Sequence, residues 1–384
     1  MGQGCCEKNR REDESSIVIG ISIISVIVLL GILIFAHEFG HFLVAKYSGV
    51  GVLKFSLGFG PKLAGKKIGE TEYRVSMIPL GGYVKLLGES ENEELQEEDK
   101  KRSFFKQPVW KRAAIVAAGP IFNFLLAILI FTIVYMVGVP TLTTYINVVQ
   151  EGSPAFEAGI KEGDLIAAID GKEITRWEGL KEVISKSDGR EFRITIKRRG
   201  QLIDITLKPR LYKEKNIFGE EIDSYKIGVS PSLEHTVVER MNPFLAFWTS
   251  LKQTWFISKL TVLSIIKIFE GVVSPKTLGG PIMIAQIAGA QVKEGIIQFV
   301  LFMALLSINL AILNLLPIPI LDGGHLLFFL AEAITGREIN IKWREMAQQV
   351  GLVILIALMI FVFIMDIERL NIKWFDDFNK FFTR

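Results

Sequence analysis

Four long apolar segments constrain the fold of this chain more than any other feature of its sequence. They cover residues 17–36, 113–139, 295–321 and 347–365, and none of them contains a charged residue. Because about 20 consecutive apolar residues span the hydrocarbon core of a bilayer, each segment is near spanning length. Half of the residues (50%) are hydrophobic, and the mean hydropathy is +0.37. We therefore predict a polytopic α-helical membrane protein with about four transmembrane helices.

The first segment is predicted to be a retained helix rather than a cleaved signal peptide. It is too long for a signal peptide, acidic residues at positions 12–14 precede it, and no small-residue cleavage site follows. We expect residues 1–16 to form a polar leader and residues 17–47 to form the first transmembrane helix. The only cysteines, Cys5 and Cys6, are neighbours in the leader, so a thiolate zinc site is excluded.

The charge distribution indicates how the segments lie in a membrane. The net charge of +3 is small and indicates no nucleic-acid partner. Basic residues collect between the first two segments, where they include Lys46, Lys54, Lys62, Lys100, Lys101, Arg102, Lys106, Lys111 and Arg112. Because cytoplasmic loops are enriched in Lys and Arg, we expect residues 42–112 in the cytoplasm and residues 140–294 on the opposite side.

Residues 141–210 predict a soluble α+β domain. Short β-type runs are punctuated by Gly, Ser and Pro, and they are followed by a short helical pattern and a hairpin pattern. The stretch resembles a PDZ domain of the bacterial kind. The matching residues are Gly152-Ser153-Pro154-Ala155, Ala158-Gly159, Gly163-Asp164 and Asp170-Gly171. The resemblance implies that the domain binds peptide ends by strand addition, and the alternative is a spacer without a ligand.

The remaining regions are expected to lie at or near the bilayer surface. We predict that residues 211–294 form an extracytoplasmic linker. Within it we predict an amphipathic helix at 244–270, because three lysines interrupt an apolar sequence rich in aromatic residues. We also predict that residues 367–384 form an interfacial tail, because they too mix aromatic and charged residues, although the pattern is weaker. Residues 50–88 contain strand-like runs separated by Gly-rich turns, and they predict a β-rich loop on the cytoplasmic side.

Three titratable side chains close the first apolar segment, in the sequence HEFGH. His37 and His41 are four residues apart, so on a helix they share one face. H-E-x-x-H on a helix is a zinc-binding pattern in which the glutamate, here Glu38, acts as general base. The alternative is a pair of interfacial histidines that hydrogen-bond to backbone or water. Ionisable groups at membrane depth are costly and usually functional, which favours the zinc site.

A catalytic zinc site takes three protein ligands and keeps a fourth position open. Asp322 is the only acidic residue among residues 295–331, so it is the predicted third ligand. Zinc with this carboxylate, two neutral imidazoles and a hydroxide would carry no net charge, as a poorly solvated site favours. His325 is a weaker candidate ligand, because it follows two flexible glycines.

The backbone before Asp322 is predicted to break between two helices. We expect a transmembrane helix at 295–314, an irregular turn at 317–325 that points Asp322 inward, and the last transmembrane helix at 347–366. Irregular backbone at membrane depth is tolerated only where protein or a water-filled cavity covers it. The residues expected to shape the turn are Pro317, Pro319 and Gly323.

Taken in order, the motifs resemble those of the site-2 protease family, whose members are zinc intramembrane metalloproteases. The resemblance is to the bacterial RseP type of this family. Besides HEFGH, the matching stretches are FSLGFGPKL (55–63), IPLGGYVKLLGE (78–89), GPIFNF (119–124), the PDZ-like stretch, GGPIMIAQ (279–286) and NLLPIPILDGGH (314–325). The resemblance covers nearly everything from residue 17 to residue 366. The chain has room for one PDZ domain, whereas some members carry two in tandem.

The resemblance implies a zinc-dependent intramembrane endopeptidase of a bacterial inner (cytoplasmic) membrane, with its active site toward the cytoplasmic side. It would cleave transmembrane segments of single-span substrates, such as anti-sigma factors and remnant signal peptides, in regulated intramembrane proteolysis. His37, His41 and Asp322 would hold one Zn²⁺ per chain, and Glu38 would be the catalytic base. Asn314 matches a position that contacts the substrate backbone or stabilises the oxyanion, and its alternative role is a helix-packing amide.

Two other functions remain open from the sequence. A catalytically silent, membrane-anchored PDZ scaffold would capture peptides, but it has no need of Glu38 between two histidines. A metal transporter or sensor would use the same ligands, although transporters tend to have more spans and a continuous polar path. For a protease, the β-rich loop at residues 50–88 adds the hypothesis that an exposed strand edge captures an unwound substrate segment.

Overall fold

The computed structural model describes residues 3–89, 96–337 and 339–369. Its helices are α1 (Gln3–Tyr47), α2 (Glu97–Lys100), α3 (Val109–Val137), α4 (Pro154–Glu157), α5 (Trp177–Ser185), α6 (Pro243–Phe269), α7 (Pro281–Glu294), α8 (Ile296–Asn314), α9 (Asp322–Thr335) and α10 (Ile341–Arg369), with a 3₁₀ turn at Pro275–Thr277. Its strands are β1 (Val52–Ile68), β2 (Thr71–Leu86), β3 (Val139–Leu142), β4 (Ile146–Val149), β5 (Leu165–Ile169), β6 (Lys172–Glu173), β7 (Phe192–Arg198), β8 (Gln201–Leu207), β9 (Arg210–Lys215), β10 (Glu221–Lys226), β11 (Val229–Pro231) and β12 (Thr236–Glu239).

Four helices in the described part of the chain are long and apolar enough to cross a membrane. They are Gly20–Tyr47 of α1, all of α3, all of α8, and Lys342–Arg369 of α10. Each coincides with one of the predicted apolar segments, and helices close all their backbone hydrogen bonds within the segment, as a bilayer requires. The prediction of a polytopic α-helical membrane protein is confirmed.

The helix bounds differ from the predicted ones where polar residues continue a helix. α1 begins at Gln3, inside the predicted leader, because the Glu, Lys and Arg residues before the apolar segment are good helix formers. α10 begins at Ile341, before the predicted start at residue 347. Residues 370–384, which make up most of the predicted tail, lie outside the described residues.

The chain divides into two compact units. Unit 1 comprises described residues within Met1–Phe131, Phe247–Leu263 and Ser274–Arg384, and unit 2 comprises Thr132–Ala246 and Ser264–Val273. Two apolar clusters hold unit 1 together. The first joins α1, α7 and α8 through Leu29, Leu33, Ala288, Phe299 and Met303. The second joins α1, the β1–β2 region, α3 and α9 through Ala45, Val50, Val52, Leu86, Phe104, Ile115 and Phe329.

The predicted β-rich loop is a sheet of two long, bent strands, β1 and β2. Residues 54–57 of β1 pair with residues 82–85 of β2 on one side and with residues 72–75 of β2 on the other. Residues 82–85 therefore form the outer strand on one side of this pairing. β2 also packs on α1, so this outer strand lies close to the helix that carries HEFGH.

The break between α8 and α9 is shorter than the predicted turn at 317–325. α8 ends at Asn314 and α9 begins at Asp322, which is therefore a helical residue and not a turn residue. The carbonyl oxygen of Leu321 accepts a hydrogen bond from the backbone N–H of His325 at 3.2 Å, so helical bonding starts at once after the break. A carboxylate in the first turn is also favoured by the helix dipole.

Unit 2 contains an α+β domain with its own core. Its main sheet has four antiparallel strands in the order β6-β5-β7-β8. The buried core residues are Ile146, Ala155, Ile160, Ile166, Ile169, Leu180, Ile184, Phe192, Ile194, Ile196, Leu207 and Ile227. Because Ile227 belongs to this core and β11 pairs with β4, the domain extends past residue 210 into the predicted linker.

The rest of the predicted linker is mainly helical. α6 covers the predicted amphipathic helix at 244–270, and it begins after Asn242, whose side chain accepts a hydrogen bond from the backbone N–H of Leu245. Lys252 places its ammonium 5.8 Å from the centre of the Trp248 ring, within the range of a cation–π interaction; the place of α6 at the bilayer surface stays a prediction. α7, which the sequence did not predict as a helix, follows in the GGPIMIAQ stretch.

Candidate active site

The three titratable residues of HEFGH lie on α1, in unit 1. The side chains of His37 and His41 lie on the same face, and their Nε2 atoms are 3.2 Å apart. The two rings are nearly perpendicular, at 85°. His37 is only 9% exposed. The spacing of four residues therefore places two imidazole nitrogens side by side in a largely buried position.

α9 brings Asp322 to the two histidines. Its Oδ2 atom lies 3.2 Å from Nε2 of His37 and 3.7 Å from Nε2 of His41. One ligand atom from each of these residues lies within 4.8 Å of the other two, and among the described residues no other trio of His, Cys, Asp or Glu does so. The structure thus brings together the three predicted ligands, although α1 and α9 are far apart in sequence.

The donor set fits a zinc ion. Two imidazole nitrogens and one carboxylate oxygen are donors that zinc prefers, and they leave a fourth position open. Oδ2 of Asp322 is buried and has no hydrogen-bond partner within the described chain. A buried, unsatisfied carboxylate oxygen is costly, and a cation held between the three residues would satisfy it.

Glu38 stands outside this trio and lines a cavity of about 570 Å³ together with His41 and Asp322. The backbone N–H of Val84 in β2 hydrogen-bonds to the Glu38 carboxylate. Gly82 allows this approach, since a Cβ there would lie 2.9 Å from Cγ of Glu38. The cavity has room for water and an extended peptide segment, so Glu38 is placed to act as a base beside the ligands.

Two further polar residues of the C-terminal part lie near the ligands. Nδ2 of Asn314, the last residue of α8, is 3.4 Å from Nε2 of His37, so this amide is within reach of a group bound there. His325 lines the same cavity as Glu38 but does not belong to the ligand trio.

Close backbone contacts hold the break between α8 and α9. Pro317 and Pro319 lie within the break, where a residue without an N–H is tolerated. Gly323 lies in α9, and a Cβ there would be 2.3 Å from the carbonyl oxygen of Leu315. Gly323 is therefore required for the packing of α9 against the break, which corrects the prediction of a turn residue.

Sequence reasoning missed the contribution of α3 to the site. The carbonyl oxygen of Ile115 accepts a hydrogen bond from Nδ1 of His41 at 2.8 Å, and the side chain of Asn123 lies against His37. The contact made by a backbone carbonyl cannot be recognised from the sequence, because every residue has a carbonyl group. The available signal was GPIFNF, in which a glycine and a polar residue, Gly119 and Asn123, stand four apart inside an apolar segment.

Comparisons with known proteins identify the family of the chain. The sequence model of peptidase family M50 matches residues 25–358. A Rhizobium meliloti (strain 1021) protein named "Putative zinc metalloprotease R01501" is 36% identical over 356 residues, covering 89% of this chain and 95% of the relative. "Regulator of sigma-E protease RseP" of Escherichia coli (strain K12) is 31% identical over 448 residues, covering 90% of this chain and 98% of the relative.

One comparison concerns a solved structure. The PDZ domain of the SdrC-like protein from Listeria innocua is 26% identical to the matched part of the chain. The match covers 24% of this chain and 97% of that domain, with a TM-score of 0.19.

Proposed function

The chain belongs to peptidase family M50, the site-2 protease family, and from this premise we propose that it cleaves the transmembrane segments of single-span membrane proteins. The coarser function, a zinc-dependent intramembrane protease, follows from the family itself. The finer proposal rests on one observation: His37, His41 and Asp322 converge beside Glu38 in a unit built from candidate membrane spans. Anti-sigma factors and remnant signal peptides are the proposed substrates, in regulated intramembrane proteolysis.

The residues of the site have distinct proposed roles. His37, His41 and Asp322 would hold the zinc ion, which when bound supplies Lewis acidity that polarises a carbonyl and acidifies water. The carboxylate of Glu38 accepts a proton from the attacking water and returns it to the nitrogen of the leaving amine. The Val84 N–H at this carboxylate would help to hold it toward the cavity that both residues line.

Two groups are proposed to handle the substrate backbone. Asn314 would donate a hydrogen bond to the substrate carbonyl or to the oxyanion, because its amide already lies beside His37. The outer strand at residues 82–85 would pair with an unwound substrate segment, because Gly82 to Val84 line the cavity that holds Glu38. A substrate that stays helical has its peptide groups closed in internal hydrogen bonds, so it must unwind before it is cut.

We also propose that the HEFGH end of α1 faces the cytoplasmic side of a bacterial inner membrane. The support is the excess of Lys and Arg in residues 42–112, directly after the first span. The inserted α+β domain would then be extracytoplasmic, where as a PDZ domain it would bind peptide ends.

The test replaces Glu38 by glutamine in the full-length protein, reconstituted in membranes with a single-span reporter substrate. We expect the variant to keep its zinc, because Glu38 is not a ligand, and to lose at least about 100-fold in cleavage rate, because the base is gone. Glu97→Gln is the matched control, since Glu97 is exposed on α2 with 85% of its side chain accessible.

Full cleavage by the zinc-loaded Glu38→Gln variant would contradict the protease mechanism. A catalytically silent scaffold would leave the reporter uncleaved in the wild type as well, so the reporter assay separates the two functions. Loss of cleavage in the Glu97→Gln control would show that the assay reports damage to the fold instead of chemistry.

A further inference from the structure

One face of α3 lies against both histidine ligands. Ile115, Gly119 and Asn123 follow one another at intervals of four residues, so they share that face. Ile115 offers its carbonyl oxygen to Nδ1 of His41 at 2.8 Å. The side-chain amide of Asn123 places Nδ2 at 3.3 Å from Nδ1 of His37. A Cβ on Gly119 would lie 2.4 Å from Nε2 of His41, so this position admits no side chain.

The outer nitrogen of each ring decides whether the inner nitrogen is free for a metal. A histidine that binds a metal through Nε2 carries its proton on Nδ1, and that proton needs an acceptor. For His41 the acceptor is the carbonyl oxygen of Ile115. For His37 the polar group that the structure places at Nδ1 is the amide of Asn123. The tautomer of His37 therefore depends on this amide.

Asn123 is a fully buried amide whose oxygen is unused. The residue is 0% exposed, and within the described chain its Oδ1 has no hydrogen-bond partner. The two ends of a side-chain amide have nearly the same shape, so a rotation of 180° exchanges them without repacking. After this rotation Oδ1 accepts the hydrogen bond from Nδ1–H of His37, and Nε2 of His37 keeps its lone pair.

We propose that Asn123 is a positioning residue whose Oδ1 accepts a hydrogen bond from Nδ1–H of His37 and so keeps Nε2 free and directed toward zinc. The proposal rests on the metal site of the proposed function, and it adds a third helix to a site assembled from α1 and α9. Ser307 of α8 donates a hydrogen bond to the backbone carbonyl oxygen of Asn123 at 2.8 Å, which fixes the position of this residue on α3. If the Asn123 amide served packing alone, zinc affinity would not depend on whether residue 123 offers a hydrogen-bond acceptor to His37.

The test measures zinc affinity of the full-length protein in detergent, by competition with a chromogenic chelator. Asn123→Leu keeps the approximate size but removes the acceptor, so zinc affinity should fall about 10- to 100-fold. Asn123→Asp keeps an acceptor for the same proton, so its zinc affinity should stay within about threefold of the wild type. Cobalt substitution gives a second readout, since the absorption bands should change in Asn123→Leu and persist in Asn123→Asp.

The matched control is Asn309→Leu. Asn309 also carries an interhelical amide, because its Oδ1 accepts a hydrogen bond from Oγ1 of Thr261 at 2.8 Å, but it belongs to no part of the site. This control should bind zinc and cobalt like the wild type.

Wild-type zinc affinity in Asn123→Leu would overturn the proposal, and so would an equal loss of affinity in both Asn123 variants. If Asn123→Leu does not fold, Asn123→Ala, which also removes the acceptor, takes its place: a fall in zinc affinity of about tenfold or more supports the role, and wild-type affinity overturns it. Absence of zinc binding in the wild type would contradict the metal site itself. Failure of this inference is thereby distinguishable from failure of the proposed function.

Discussion

Around the two histidine ligands, glycines mark the places where backbones and rings approach too closely for a Cβ atom. Gly119 lies against the imidazoles, and Gly82 lies against the side chain of Glu38. Both stand on elements that supply no ligand, and both let those elements come within contact distance of α1. At the scale of single residues, the geometry of the site therefore depends on missing side chains as much as on the groups that bind.

Gly119→Ala is expected to weaken zinc binding at least about tenfold. The added Cβ would lie 2.4 Å from Nε2 of His41 and 2.7 Å from Cε1 of His37, so both rings must move. Gly31→Ala is the matched control, because Gly31 is also in a transmembrane helix and a Cβ there meets nothing within 4 Å. Zinc content after dialysis against a chelator measures the effect, and equal content in both variants would contradict this prediction.

At the scale of elements, the ends of helices carry several of the polar groups of unit 1. Helix termini leave backbone N–H and C=O groups without internal partners, and side chains from elsewhere satisfy them. Asp322 begins α9 and Asn314 ends α8, so both site residues come from the same break. A third terminus, the start of α7, is satisfied by a carboxylate from α10.

Asp366 of α10 caps α7 from a distant part of the sequence. Its Oδ1 accepts a hydrogen bond from the N–H of Gly280 at 3.0 Å, and its Oδ2 accepts from the N–H groups of Ile282 at 2.9 Å and Met283 at 3.1 Å. The residue is 2% exposed. Gly280 makes room for it, since a Cβ there would lie 2.5 Å from Oδ2. This contact explains why a glycine stands at position 280.

Asp366→Asn should release the start of α7 and cost about 1–3 kcal/mol of stability in unit 1. The asparagine would have to turn an N–H₂ group toward backbone N–H donors, which leaves buried donors unsatisfied. Hydrogen exchange of the amides at 280–283 in the full-length protein measures the change, and exchange there should become faster. Glu368→Gln is the control, because Glu368 contributes one distant ion pair at 3.9 Å, and faster exchange in the control would argue against a specific cap.

At the scale of the whole molecule, the chain contains two units with separate apolar cores, and unit 2 contains a buried carboxyl that ties its stability to pH. In unit 2, Asp164 has 1% of its side chain exposed. Burial raises the pKa of its carboxyl, but hydrogen bonds from the side chain of Arg198 and the backbone N–H of Lys161 outweigh burial, so the pKa is lowered overall. Arg198 donates through Nε at 2.8 Å and through Nη2 at 2.7 Å, a strong bidentate geometry.

Unit 2 is therefore expected to lose stability in acid through Asp164. A carboxyl with a lowered folded-state pKa stabilises the fold above the ordinary value of 3.8, and this contribution is lost as the pH falls through the folded-state value. Asp164→Asn should be less stable at neutral pH and should show a smaller further loss in acid. Hydrogen exchange of residues 146–231 in the full-length protein measures both effects.

The control for the acid experiment is Asp223→Asn on β10, which removes an exposed carboxylate from the same unit. It should keep the wild-type dependence of exchange on pH. An unchanged pH profile in Asp164→Asn would contradict the assignment of acid sensitivity to the pair with Arg198.

Much of the fold was predictable because its signals are local. A transmembrane helix can be recognised from the hydropathy of its own residues. The spacing of His37 and His41 places both on one helical face, whatever residues surround them. The start of α9 at Asp322 and the helix α7 were not predicted, because packing against Leu315 and capping by Asp366 decide where these helices begin. The extension of the inserted domain past residue 210 was not predicted for the same reason, since β11 pairs with β4 and Ile227 is buried by residues distant in sequence.

The sequence by itself determined the four spans, the pair of histidines with Glu38 between them, and Asp322 as the available third ligand. Each of these follows from the composition and spacing of neighbouring residues. Only the tertiary structure decided that α3 supports the histidines and that β2 lies at Glu38. Contacts between elements depend on the path of the whole chain, and a backbone carbonyl or a missing Cβ leaves no local pattern that would reveal its partner.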